Sequence, residues 1–202
     1  MTRLLTLFCA ALLGISFSAV AADTASPDQL VKTTADEVLS ILRTTKDKAT
    51  LRKLAEQKVL PYFDFRRMTQ LAVGPSWRQA TPEQQKALED QFRTLLVNTY
   101  TAALNVAAVG NESLEVKPLE MKRGDDDVTV RTIIRSPNRQ PTSVDYRMSN
   151  TSAGWKVYDV VVENLSLVTN YRSSFASEIG RSGIDGLVKV LESKNRQIAQ
   201  AG

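Results

Sequence analysis

The sequence predicts an α+β fold in which a four-stranded antiparallel sheet is wrapped by helices and encloses an apolar cavity. Three observations predict it. Apolar residues recur at helical spacing from about Pro27 to Ala107, at a period of two from Ser113 to Val162, and at helical spacing again from Val168. The connections between the period-two segments are short, which suits antiparallel neighbours. Helices, then strands, then helices is the order of an α+β domain.

The first twenty-two residues stand outside that fold. Arg3 gives a positive start, Leu4–Phe17 is apolar, and Ala19-Val20-Ala21-Ala22 supplies small residues for cleavage. That is the pattern of a secretory signal peptide, too short for a membrane span. Residues 23–202 then form one domain, enough chain for a sizeable core.

Two helix starts share one device. Ser26-Pro27-Asp28-Gln29 and Thr81-Pro82-Glu83-Gln84 each place a hydroxyl at the N-cap, Pro at N1, an acid at N2 and Gln at N3. The first helix runs to about Thr44 with Leu30, Thr34, Val38, Ile41 and Leu42 on its stripe. A second spans about Lys48–Lys58 and breaks at Leu60-Pro61; helical spacing resumes over Tyr62–Val73 and stops at Gly74-Pro75. The longest helix, Pro82 to about Ala107, carries Leu88, Phe92, Leu95 and Leu96 on one face. Its small late residues, Thr101, Ala102 and Ala103, either pack closely on a sheet or leave space for something else.

From Ser113 the chain alternates. Leu114, Val116 and Met121 mark a first strand with Pro118 at an edge or bulge. Val128, Val130, Thr132 and Ile134 mark a second, and Val144, Tyr146 and Met148 a third. Trp155–Val162, apolar on nearly both sides, reads as a central strand. Val168, Tyr171, Phe175 and Ile179 begin a helix, and Ser182-Gly183-Ile184-Asp185 caps a final one.

Composition narrows the chemistry. There is no histidine, and the one cysteine, Cys9, lies in the predicted signal segment. His-based triads, His general bases and the commonest metal ligand are thereby excluded. The net charge of +4 is mild and does not demand nucleic acid. Asp125-Asp126-Asp127 lacks the spacing of a calcium loop and reads as a solvated turn. Arg131, Arg135 and Arg147 share the outer sheet face with Asp145, either as a solvated face or as a docking surface for an acidic partner. Strict alternation places Asp159 beside Trp155, Val157 and Val161. A carboxylate there is costly unless paired; paired with Tyr100 or Tyr158 it is an acid–base candidate, and otherwise a structural group.

The chain also resembles a known family. Leu60-Pro61-Tyr62-Phe63-Asp64-Phe65, Gly74-x-x-Trp77-Arg78-x-Ala80-Thr81-Pro82-Glu83-Gln84, Phe92 to Tyr100, Gly154-Trp155-Lys156-Val157-Tyr158-Asp159, Glu163–Val168 and Gly183-Ile184-Asp185-Gly186-Leu187 occur in collinear order. Together they resemble the toluene-tolerance family of Gram-negative bacteria, the MlaC-type periplasmic phospholipid-binding proteins. The resemblance implies an NTF2-like helix-wrapped sheet and a soluble carrier that shuttles phospholipid across the periplasm, maintaining outer-membrane lipid asymmetry. It implies transient docking with an inner-membrane ABC transporter bearing an MCE-domain protein and with an outer-membrane lipoprotein–porin complex. It implies no nucleic acid, cofactor or reaction. Periodicity combined with the family's cavity names a lipid-binding lining: Leu96, Tyr100, Ala103, Val130, Ile134, Val144, Tyr146, Val157, Val161 and Val168. The turn at Glu163–Ser166 is expected near its mouth.

Overall fold

The computed structural model describes residues 25–45, 47–107, 112–137 and 139–201, the last turns of the longest helix by backbone alone. The predicted signal segment lies outside these residues, as do the side chains of Tyr100 and Ala103. Among the described residues the order is α1 (Pro27–Thr44), α2 (Lys48–Leu54), α3 (Phe65–Val73), α4 (Pro82–Ala107), β1 (Ser113–Val116), β2 (Asp127–Arg135), β3 (Thr142–Thr151), β4 (Gly154–Val162), β5 (Leu165–Ser166) and α5 (Leu167–Ala201).

The strands form one antiparallel meander in the order β1-β2-β3-β4-β5. Five strands stand where the sequence predicts four. The extra one, Leu165-Ser166, is two residues long and pairs with Val162 and Val161. It is too short to show alternation, so periodicity could not reveal it. It comes from a tight reversal at Glu163 and Asn164, which both hold positive φ (47° and 66°), the geometry that matches the twist of a hairpin.

The helix starts differ in how they are secured. At α4 the Thr81 hydroxyl accepts the Gln84 N–H (3.2 Å) while the Gln84 side chain accepts the Thr81 N–H (3.0 Å), a closed capping box. At α1 Ser26 makes no side-chain cap bond. Asp47 and Asp64 cap α2 and α3 by accepting the N–H groups of Thr50 and Arg67, each at 2.8 Å. The predicted second helix ends early, at Leu54, and continues as one wider turn over Ala55–Val59 before Pro61 stops it. The two predicted C-terminal helices are both present within α5, separated at Gly183, whose non-helical φ of 72° and ψ of −175° only glycine adopts freely.

Two apolar clusters hold the fold together. The first is a helical body in which Met68 of α3, Leu88, Phe92 and Leu95 of α4, and Phe175, Leu187 and Leu191 of α5 interlock. Phe92 meets Tyr171 and Phe175 edge-on, with centroids 5.1 and 5.2 Å apart, the arrangement ring quadrupoles favour. The second cluster lies on one sheet face, where Val128, Val130, Met148, Trp155 and Val157 pack against Val31 of α1. Val31 is absent from the predicted stripe of α1. Tertiary contact with the sheet, not the helix's own period, selects it. Each of these side chains contributes about 1.5–3 kcal/mol on burial. Phe63 touches both clusters and makes a parallel bridge to Val157, where the Asp64 N–H donates to the Val157 carbonyl (2.9 Å).

Candidate functional site

The register sorts the predicted lining. Val130 faces Tyr146, Thr132 faces Val144, and Ile134 faces Thr142 across β2 and β3. Cross-strand partners share a face, so Val130, Ile134, Val144 and Tyr146 form one apolar wall. Val130 is fully buried, while Ile134 and Tyr146 are half-buried. Thr132 also belongs to this wall. Its hydroxyl donates to the Val144 carbonyl (2.6 Å), which leaves the methyl as its contribution.

β4 then changes face partway along. Met148 pairs with Val157 but Arg147 pairs with Asp159, so Tyr158 is an extra, unpaired residue. Such a bulge reverses side-chain parity downstream. Val157 and Trp155 stay with the apolar wall; Asp159 and Val161 fall on the opposite face, beside Arg147 and Asp145. The expectation that Asp159 shares a face with Trp155 and Val157 is therefore corrected, and Val161 is separated from the rest of the lining. Leu96 and Val168 are buried in the helical body.

Asp159 is only 2% exposed. Its carboxylate accepts the Ser166 hydroxyl (2.7 Å) and the Val168 N–H (3.2 Å), and pairs with the half-exposed Arg147 at 3.3 Å. It thus ties β4 to β5 and to the first turn of α5, where Ser166 itself accepts the Thr169 N–H (3.0 Å). The acid–base partner considered for it is engaged elsewhere: the Tyr158 hydroxyl donates to Asp127 at 2.6 Å. Arg67 binds the other Asp127 oxygen (2.9 Å) and stacks over the Tyr158 ring at 3.7 Å.

The Arg67–Asp127–Tyr158 group joins α3 to the sheet at the bulge, and no periodic signal marks it in the sequence. Asp127, read from the sequence as part of a solvated turn, is instead the first residue of β2. Burial and the Asp127 bond push the Tyr158 phenol up to about 12, and burial alone does the same for Tyr146.

Open grooves lie elsewhere. One of about 390 Å³ runs between Phe63, Phe65, Lys86, Asp90, Arg93 and Lys156, and another of about 310 Å³ between Arg52, Leu60, Asp90, Arg93 and Val97. Both are lined largely by charged side chains, and the first lies where α3 and α4 meet the sheet end at Thr151 and Lys156. Among the described residues no group of three or more acidic residues is placed to hold a metal. No described helix is long and apolar enough to cross a membrane.

Fold and face together define the class: an α+β protein built around an apolar sheet wall. The particular family follows from comparison. The family model described as MlaC protein matches residues 32–193, and the chain belongs to that family. It is 24% identical over 181 residues, 85% of this chain and 83% of the relative, to the intermembrane phospholipid transport system binding protein MlaC of Haemophilus influenzae. It is 28% identical over 124 residues, 61% of this chain and 56% of the relative, to the toluene tolerance protein ttg2D of Pseudomonas putida. Among solved structures it matches a phospholipid-binding protein from Ralstonia solanacearum in complex with a phospholipid. That match has a TM-score of 0.79 and 38% identity, and it covers 87% of this chain and 99% of the other.

Proposed function

We propose that this chain is a periplasmic carrier that holds phospholipid acyl chains against the apolar sheet wall and shuttles the lipid between inner and outer membranes. The observation that carries the reading is its likeness, at 38% identity over 87% of the chain, to a protein solved with phospholipid bound. In this reading residues 1–22 are a cleaved signal peptide and residues 23–202 are the carrier. Val130, Ile134, Val144, Tyr146 and Val157 form the sheet side of the lining. Leu96, Tyr100, Ala103 and Val168 form the helix side, and Val161, turned to the opposite face by the bulge, leaves the lining.

The physics asks for such a protein. Exposing an acyl chain of roughly fifteen methylenes to water costs about 12 kcal/mol at ~0.8 kcal/mol each. A carrier must match that with dry apolar surface, and it needs no reaction to do so. An inner-membrane ABC transporter with an MCE-domain protein and an outer-membrane lipoprotein–porin complex are the docking partners in this reading. Asp159 serves the architecture, since its donors and the Tyr158–Asp127 bond leave no acid–base pair between them.

Organic extraction of the purified protein followed by mass spectrometry tests the proposal. Stoichiometric phospholipid is expected. Protein that carries none, and takes none up from vesicles, overturns it.

A further inference from the structure

We propose that the Tyr146 hydroxyl is the group on the apolar wall that recognises an ester carbonyl of the bound lipid, so that the protein distinguishes diacyl lipids from their ether-linked analogues. The inference rests on the carrier reading and deepens it by naming a chemical feature of the cargo.

Tyr146 lies in the middle of the wall. It pairs with Val130 on one side and Val160 on the other, and Val144 and Met148 flank it along β3 on the same face. Val130 and Met148 are fully buried, whereas Tyr146 and Val160 keep some accessible surface. Burial alone pushes the Tyr146 phenol up to about 12, so protein surrounds the ring on most sides. A side chain set that deep, yet with accessible surface, faces internal space and not bulk solvent.

Its hydroxyl is the odd group on this surface. Thr132, also on the wall, is satisfied within the sheet by the Val144 carbonyl (2.6 Å). The Tyr158 phenol at the bulge donates to Asp127 (2.6 Å). Tyr146 makes no hydrogen bond among the described residues. A buried phenol normally finds a partner, and here the internal space in front of the wall is where one can come from.

The surroundings select the acceptor. Arg131, Asp145 and Arg147 alternate onto the opposite face of β2 and β3. A phosphate or carboxylate beside Tyr146 would meet Val130, Val144, Met148 and Val160 and no cation among them, which makes its burial costly. An ester carbonyl is neutral, accepts one phenol hydrogen bond, and is joined directly to the acyl chain that the wall holds.

Competitive uptake tests this. The purified protein is loaded from vesicles holding equal amounts of diacyl and di-O-alkyl phosphatidylglycerol of matched chain length, and bound lipid is counted by mass spectrometry. The parent is expected to take up the diacyl form about fivefold over the dialkyl form, the effect of one net hydrogen bond. Tyr146→Phe, which keeps the ring, should bring that ratio close to one. A second measurement needs no variant: the infrared ester stretch of carbonyl-labelled lipid should divide on binding, with one component at lower frequency.

A parent that takes up both lipids equally, a Tyr146→Phe protein that keeps the preference, or a single unshifted ester band overturns the proposal. So does a Tyr146→Phe protein, folded by circular dichroism, that loses uptake of both lipids alike. Any of these in a parent that still carries phospholipid removes this inference alone, whereas a parent that binds neither lipid removes the carrier reading itself.

Discussion

Replacing Asp159 by alanine is expected to destabilise the fold by about 3 kcal/mol. Asp159 is buried and its carboxylate accepts three donors. Val168, whose N–H is one of them, is itself buried. Stranding that N–H costs roughly 1–3 kcal/mol. The Ser166 hydroxyl is near the surface and retains Thr169 as a partner at 3.0 Å, so its loss is smaller. Arg147 is half exposed, which limits the lost ion pair to about 0–1 kcal/mol. With an m-value of about 2 kcal/mol per molar urea for a chain of this size, the midpoint should fall by about 1.5 M. The thermal midpoint should fall by about 6–12 °C. Asp159→Asn keeps the volume and one acceptor oxygen and should lose about half as much. A double-mutant cycle with Arg147→Ala should give a coupling below about 1 kcal/mol. An Asp159→Ala protein within about 0.5 kcal/mol of the parent would refute the view that this carboxylate fastens the β4–β5–α5 junction.

Gly74 ends α3 at φ 68° and ψ −141°, so Gly74→Ala should cost roughly 1–3 kcal/mol through backbone strain, read by urea denaturation. An added Cβ there would meet the Arg172 guanidinium at an ordinary 3.5 Å, so a clash is not the cause. Thr81→Ala opens the capping box of α4 and should lower stability by about 1 kcal/mol, while Thr81→Ser should restore most of it. The phenols of Tyr146 and Tyr158 are pushed up to about 12 in the fold against about 10 unfolded. Stability should therefore hold below pH 10 and fall as pH rises from 10 toward 12. Tyr146→Phe should flatten that fall, and an unchanged alkaline profile would contradict the assigned burial.

Much of the fold was legible because its signals are local. The Thr81–Gln84 box, the Gly74-Pro75 stop and the alternation of Val128, Val130, Thr132 and Ile134 depend on neighbours in sequence, and the structure repeats them. The wall of the candidate site was legible to the same extent, since Val130, Ile134, Val144 and Tyr146 alternate cleanly. Val31 was not, because a helix stripe does not say which residue the sheet will cover. Nor was Asp127, whose partners Arg67 and Tyr158 lie 60 and 31 residues away along the chain.

Local pattern sufficed for the class of fold, the order of its elements, the absence of histidine chemistry and the apolar side of β2 and β3. Tertiary structure alone decided what β4 does. Val160, Val161 and Val162 are apolar whichever way they point, so their pattern carries no parity, and a single extra residue at Tyr158 can reverse it unseen. That bulge moves Asp159 off the apolar wall and under the start of α5, where Ser166 and the Val168 N–H receive it. A carboxylate that alternation assigned to an apolar surface is thereby a satisfied structural group. The physical reason is that strand pairing, which sets the register, is a contact between distant segments and leaves no mark in either one alone.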